Sequence, residues 1–170
     1  MSAFRTGTLS ILLATMFATS GASPAADAAN GGWVQLGDLR VEVERAVALR
    51  ADGDHPEDPG NVEVYLSRVP LDAAALKASG YPEGAARDAV DAAGGGLVVV
   101  CITPQGAHCG TLIHQGEPAV NERLSPHGEL VLTRDEPGHV AGRWTLTDFD
   151  LYGTAVAAEL RFDVPVHGAD

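Results

Sequence analysis

Basic residues are scarce in this chain. Of its 170 residues, 11 are Lys or Arg and 23 are Asp or Glu, which gives a formal net charge of −12 at pH 7 with histidine neutral. Lys77 is the only lysine, and no two basic residues are adjacent. Nucleic acids and anionic membranes are bound through clustered Lys and Arg. The sequence therefore predicts neither of these partners.

Long apolar runs are also few. The apolar core Leu9–Ala18 is shorter than the roughly 20 residues that a membrane-spanning helix needs. Arg5 precedes this core and small residues follow it, so we predict a signal peptide over residues 1–28 with cleavage before Ala29, or alternatively before Ser23. The expected mature protein is periplasmic or secreted, with no membrane insertion after cleavage.

The remaining chain shows the alternation that is typical of β-strands. From Val156 to Val166 apolar residues occupy every second position with charged residues between most of them, and similar short segments recur between Pro- and Gly-rich turns. About eight strands in a single domain over residues 29–170 are expected. The predicted fold is mainly β, an antiparallel β-sandwich of immunoglobulin-like or jelly-roll character, and the alternative is a small closed β-barrel.

Two short alanine-rich segments are predicted as helices within this β fold. Asp72 can cap a helix over residues 73–79, and a second helix is expected over residues 82–93. Both are expected over one end or edge of the sheet. The segment from Leu39 to Arg50 is predicted as one strand with a bulge near Arg45, and a helix is the competing interpretation.

The two cysteines are predicted to form a disulfide. The segment 104–106 (PQG) suits a three-residue hairpin loop that places Thr103 opposite Ala107 and, in the same register, Cys101 opposite Cys109. Opposed residues in antiparallel strands have Cα atoms ~4.5–5.5 Å apart, which a disulfide tolerates. The alternative is a pair of inert buried thiols.

No motif for catalysis or metal binding is present. His108 and His114 share a strand face in the predicted sheet, but at ~3.3 Å per residue they are roughly 20 Å apart, too far for one zinc ion. The acidic segment 52–61 has Pro56 where a calcium ligand is expected. The serines after residue 28 lack a G-x-S-x-G context: Ser67, Ser79 and Ser125. We expect no metal, no cofactor and no catalytic residue.

Aromatic residues near the C-terminus form the candidate partner-binding loop. Phe149 and Tyr152 lie in a polar segment predicted as a loop, shortly after Trp144. Aromatic residues in such loops anchor a protein or sugar partner in many interfaces, and the alternative is that they cover the open end of the sandwich. Arg143 is expected to pair with a neighbouring acid.

Three segments resemble an uncharacterised group of secreted bacterial β-proteins: VEVYLSRVPLDAAAL (Val62–Leu76), VAGRW (Val140–Trp144) and ELRFDVPV (Glu159–Val166). The resemblance implies one exported β-rich domain with no assigned activity. The expected function is a non-catalytic binding or interaction module, a monomer that takes an unknown protein or a small ligand through loops on a rigid scaffold. The alternatives are a structural accessory domain of the cell envelope and a small extracytoplasmic hydrolase.

Overall fold

The computed structural model describes residues 29–51 and 60–168. The predicted signal peptide and most of the acidic segment 52–61 lie outside the described residues. The described strands are β1 (Gly31–Leu36), β2 (Leu39–Val43), β3 (Arg45–Arg50), β4 (Val62–Ser67), β5 (Gly96–Ile102), β6 (His108–Gln115), β7 (Val120–Leu124), β8 (Glu129–Glu136), β9 (His139–Leu151) and β10 (Thr154–His167), and the helices are α1 (Ala73–Ala78) and α2 (Pro82–Ala92). Neither of these helices is long and apolar enough to cross a membrane.

The strands form two sheets that pack face to face. Sheet A has the order β2-β1-β10-β9-β8, and sheet B has the order β3-β4-β5-β6-β7. All pairs within each sheet are antiparallel, but the end of β10 also runs parallel to β3, with Val166 opposite Ala48. The sandwich prediction is confirmed in a mixed, open form. The closed-barrel alternative is wrong, because the sheet does not close.

The main core lies between the two sheets. The apolar residues of β10 at alternate positions from Val156 to Val166 are all buried, as the period predicted, and they meet Val64, Val100 and other residues of sheet B. Burying a side chain of this size stabilises a fold by roughly 1.5–3 kcal/mol. The alternation along β10 therefore fixes which face of sheet A is the inner one.

The chain passes from sheet A to sheet B at Glu44, so the predicted single strand from Leu39 to Arg50 is wrong. Val43 at the end of β2 and Ala48 in β3 both point into the main core, whereas Leu49 packs on the helical side of sheet B. The five-residue spacing between Val43 and Ala48 shows that the alternation shifts by one position at the crossing. A bulge near Arg45 within one sheet does not describe this geometry.

The helices cover the outer face of sheet B and build a second core there. Asp72 caps α1 as predicted, since its Oδ1 accepts from the backbone N of Ala74 at 2.9 Å. Leu76 and Val90 from the helices pack with Tyr65 and other outer-face residues of sheet B. The prediction that the helices lie over an end or edge is wrong, because β4 and β5 are apolar on both faces and the second face also requires cover.

The predicted hairpin loop is present between β5 and β6. Gly106 has a φ of 76°, and its N–H donates to Thr103 O at 2.9 Å. The Thr103 N–H donates in turn to Ala107 O at 2.8 Å, so the loop closes as expected. This loop brings the two cysteine-bearing strands together.

The disulfide is present, but the predicted strand register is wrong. The Cα atoms of Cys101 and Cys109 are 5.1 Å apart and the sulfur atoms are bonded. Cys101 lies opposite Gly110, not opposite Cys109, because the register shifts between Cys101 and Ile102. Cys109 is thus the extra residue of a β-bulge.

Candidate functional site

The three predicted partner-binding aromatic residues do not share one surface. Trp144 is fully buried, and its Nε1 donates to the carbonyl oxygen of His127 at 3.0 Å. Phe149 is half-buried, with its ring centroid 4.4 Å from that of His127. Tyr152 alone is exposed, at 98 %. Trp144 is therefore a core residue, and of these three residues only Tyr152 exposes its ring fully to solvent.

The segment that carries Phe149 and Tyr152 is a hairpin and not the predicted loop. β9 continues to Leu151, and β10 begins at Thr154. The two residues between them, Tyr152 and Gly153, have φ values of 53° and 86°, which is the signature of a type I′ turn. The acidic residues of this segment, Asp148 and Asp150, alternate along an exposed strand. Polar side chains are as common on the solvent face of such a strand as they are in a loop.

A cleft of about 300 Å³ opens between the helices and the ends of β3 and β4. It is the candidate functional site, because its wall combines an aromatic ring with charged groups of both signs. The main side chains that line it are Leu49, Arg50, Glu63, Lys77, Tyr81 and Glu83.

Glu63 is the carboxylate on the sheet side of the cleft. The hydroxyl of Tyr65, two residues along β4 on the same face, donates a hydrogen bond to Glu63. Burial raises the pKa of Tyr65 well above its usual value, and the hydrogen bond and charge of Glu63 raise it further. Tyr65 therefore stays neutral, and its hydroxyl donates the hydrogen bond that holds the Glu63 carboxylate in place. A carboxylate has roughly four lone-pair sites, so Glu63 keeps acceptor capacity toward the cleft.

Tyr81 stands at the mouth of the cleft with 59 % of its surface exposed. Its ring lies over Gly84 in the first turn of α2, where an added Cβ would be 2.2 Å from Cδ1 and 2.3 Å from Cε1 of Tyr81. Glycine in a helix is less favourable than alanine by about 1 kcal/mol. The glycine at position 84 thus weakens the helix and leaves room for one edge of the Tyr81 ring, its Cδ1 and Cε1 atoms, against the helix.

Glu83 fixes the helical wall of the cleft. Its carboxylate accepts from Arg87 Nη2 at 2.5 Å, and from Arg123 Nη2 on β7 at 2.6 and 2.5 Å. The side chain of Glu83 is only 12 % exposed. These contacts tie the start of α2 to the edge of sheet B. Glu63, the other carboxylate of the cleft, makes no ion pair with the described residues.

Two cationic side chains also line the cleft. Lys77 lies in the last turn of α1, and it lines the cleft together with Arg50. Arg50 donates to the carbonyl oxygens of Gly60 and Pro137, both at 3.3 Å, so it also braces the backbone beside the cleft. The cleft therefore offers an acceptor, a cation and an aromatic face within one small volume.

His108 and His114 of β6 have different neighbours. His108 lies beside Trp144, with ring centroids 5.6 Å apart, whereas His114 contacts Asp91 of α2 at 2.9 Å. They lie on opposite faces of β6, so the prediction of a shared face is wrong, because the bulge at Cys109 reverses the alternation. No group of three or more metal-binding side chains is found among residues 29–51 and 60–168.

The hydroxyls of two serines are also held in structural contacts. Ser67 donates to Val69 O at 2.5 Å and Ser79 donates to Leu76 O at 2.6 Å. A nucleophilic serine donates instead to a general base. Neither contact has that arrangement.

No family model, curated protein or solved structure matches this chain.

Proposed function

We propose that this protein is an exported, non-catalytic binding module and that its ligand site is the cleft between Tyr81 and Glu63. The ligand is a small polar molecule that places a ring or apolar face on Tyr81 and a hydroxyl or amine donor on Glu63. The observation that carries this proposal is the ring of Tyr81, which lies exposed over a glycine that the helix itself does not favour.

Pre-organisation is the physical reason for this assignment. A tyrosine side chain has only two torsions, so its ring loses little conformational entropy when a ligand stacks on it. The Glu63 carboxylate is held by the hydroxyl of Tyr65. A cavity of about 300 Å³ is at the lower end of the range for small-molecule sites, so a ligand of monosaccharide or amino-acid size is expected.

Export to the periplasm or the medium is part of the same proposal. The residue pattern over positions 1–28 supports it, and a disulfide is compatible with an oxidising compartment. Intact-mass measurement of protein recovered from each compartment tests it. A mature chain that begins at Ala29, or at Ser23, supports export, and an uncleaved chain recovered only from the cytoplasm contradicts it.

Ligand binding is tested with a set of amino acids, small amines and monosaccharides by saturation-transfer NMR, followed by calorimetry on those that bind. Tyr81→Ala removes the aromatic ring. Gly84→Ala keeps the ring of Tyr81 but displaces it, because the new Cβ occupies the space that the ring fills. Both variants are expected to weaken binding roughly tenfold or more. Tyr152→Ala is the matched control, since it removes an exposed tyrosine outside the cleft.

The Gly84→Ala variant separates binding from folding. Alanine favours the helix by up to about 1 kcal/mol, so the thermal stability of this variant is expected to be equal to or above that of the wild type while its binding is weakened. Equal affinity in wild type, Tyr81→Ala and Gly84→Ala contradicts the assignment of the site. Absence of binding by every compound class contradicts the proposed ligand chemistry.

A further inference from the structure

Two arginines lie directly opposite each other on the outer face of sheet A. Arg143 on β9 pairs in register with Arg161 on β10. The residues that follow them, Trp144 and Phe162, point into the main core, so both arginine side chains point outward. Like charges in this position destabilise a sheet, and the chain has only 11 Lys and Arg to place. A negative charge near the two arginines would therefore reduce their mutual repulsion.

The protein itself supplies that charge to Arg161 and not to Arg143. Arg161 Nη2 donates to Glu159 at 2.9 Å. The sequence predicted an acid beside Arg143 as well, but across residues 29–51 and 60–168 no ion pair or hydrogen bond of its guanidinium is found. Asp163, the next outward residue of β10, is held by His139 at 2.5 Å. For the described part of the chain, the predicted pairing of Arg143 is wrong.

Grooves flank the two arginines. One groove of about 420 Å³ is lined by both Arg143 and Arg161, and another of about 560 Å³ lies on the other side of Arg161 beside Trp33. Gly31 continues the row of outward residues, in register with Arg161. It has a φ of 136°, and a Cβ there would lie 2.8 Å from Val43 O. The backbone requires glycine at this position, and its lack of a side chain leaves the groove open.

We propose that Arg143 and Arg161 bind one oxyanion group of a small molecule, a carboxylate, sulfate or phosphate. The planar fork of a guanidinium matches two oxygens of such a group. Glu159 and the net charge of −12 oppose a polyanion, so the site fits a single group with an affinity in the millimolar range that falls with salt. This face is on the opposite side of the sandwich from the helices, and the inference is independent of the ligand proposed for the Tyr81 cleft.

The experiment titrates the mature chain with sodium acetate, sulfate or phosphate against chloride at constant ionic strength. Arginine Nε–Hε resonances and backbone amides of β9 and β10 report binding in NMR spectra. Arg143→Thr is expected to weaken the saturable response about tenfold. Arg134→Thr is the matched control with the same charge change on the neighbouring strand β8, where Arg134 contacts Glu136 at 3.4 Å, and it is expected to retain the wild-type response.

Arg143→Lys supplies a second measurement, because it keeps the charge and removes the fork. It is expected to weaken binding less than Arg143→Thr does. A stronger response to acetate assigns the site to carboxylates, and a stronger response to sulfate or phosphate assigns it to tetrahedral anions. The proposal is overturned if no anion gives a saturable shift, or if Arg134→Thr weakens the response as much as Arg143→Thr does.

Discussion

Replacing Tyr152 by asparagine is expected to stabilise the protein. Tyr152 is the first residue of the β9–β10 turn and has a φ of 53°. A residue with a Cβ is disfavoured in this left-handed conformation, whereas asparagine tolerates it and is common at the first position of type I′ turns. The side chain of Tyr152 is 98 % exposed, so its removal sacrifices almost no buried area. The effect of the substitution therefore reports the backbone conformation.

The size of the effect follows from the cost of that conformation. A left-handed φ costs a non-glycine residue roughly 1–2 kcal/mol, and asparagine recovers much of this because its short polar side chain bonds locally. We expect Tyr152→Asn to raise the free energy of unfolding by about 1 kcal/mol, or Tm by about 3–5 °C in a domain of this size. Tyr152→Ala keeps the Cβ and is expected to change stability by less than about 0.5 kcal/mol.

Urea unfolding of wild type, Tyr152→Asn and Tyr152→Ala, followed by tryptophan fluorescence, measures the difference. The turn is otherwise held by Asp150 Oδ1, which accepts from Gly153 N at 2.8 Å, and this contact is the same in all three proteins. If Tyr152→Asn is no more stable than Tyr152→Ala, the turn does not carry the strain assigned to it. A tyrosine in this strained conformation supports the prediction that the tip of the hairpin contacts a partner.

Two further predictions concern the strands β5 and β6. Replacing both Cys101 and Cys109 by alanine is expected to lower the free energy of unfolding by about 2.5 kcal/mol in the chain-entropy model, and an unfolding midpoint that reducing agent does not change would contradict the bridge. Burial lowers the pKa of His108 below its usual 6.5, so the folded state binds fewer protons than the unfolded one and stability falls as the pH drops through 6.5 toward that lowered pKa. His108→Gln is expected to flatten this slope in urea midpoints measured between about pH 5 and 8, and an unchanged slope assigns the effect to other groups.

Local sequence signals identified most of the secondary structure. The two-residue period of β10, the Asp72 cap and the Pro–Gly hairpin loop each act within a few residues, so their physics is readable from the sequence alone. The strand β1 was missed because it begins with Gly31 and Gly32, which suggest a loop. A Cβ at Gly32 would lie 2.0 Å from Glu159 O, so these glycines instead mark a close approach of two strands.

Strand register and sheet membership could not be predicted from local sequence signals. Both halves of the segment around Glu44 alternate, and only the packing of two sheets determines that the chain changes sheet there. The bulge at Cys109 had a possible signal in Gly110, which has a φ of 151°. An isolated glycine in a strand suggests a bulge, and a bulge here accounts for both the cysteine register and the faces of the two histidines in β6.

The candidate site was missed for a related reason. Tyr81 and Gly84 are three residues apart on one helix, and Glu63 and Tyr65 are two residues apart on one strand, so each pair is a local pattern. Their approach to each other depends on the helical layer over the outer face of sheet B, whereas the sequence predicts the helices at an end or edge of the sheet. The sequence alone therefore gives no indication that these charged and aromatic residues line one cleft.

The extent of the helical cover explains why a polar site forms where it does. Across sheet B, the outward row that contains Tyr65 and Val99 is buried beneath the helices. In the next outward row, Glu63 lies opposite Cys101, and both are only partly buried. At the boundary of the helical layer, a carboxylate stays partly hydrated while the adjacent residue is buried. Glu63 can therefore accept a hydrogen bond from the buried hydroxyl of Tyr65 and still line the cleft. A ligand that stacks on Tyr81 would cover the outward row of sheet B that contains Glu63, next to the row that the helices already bury.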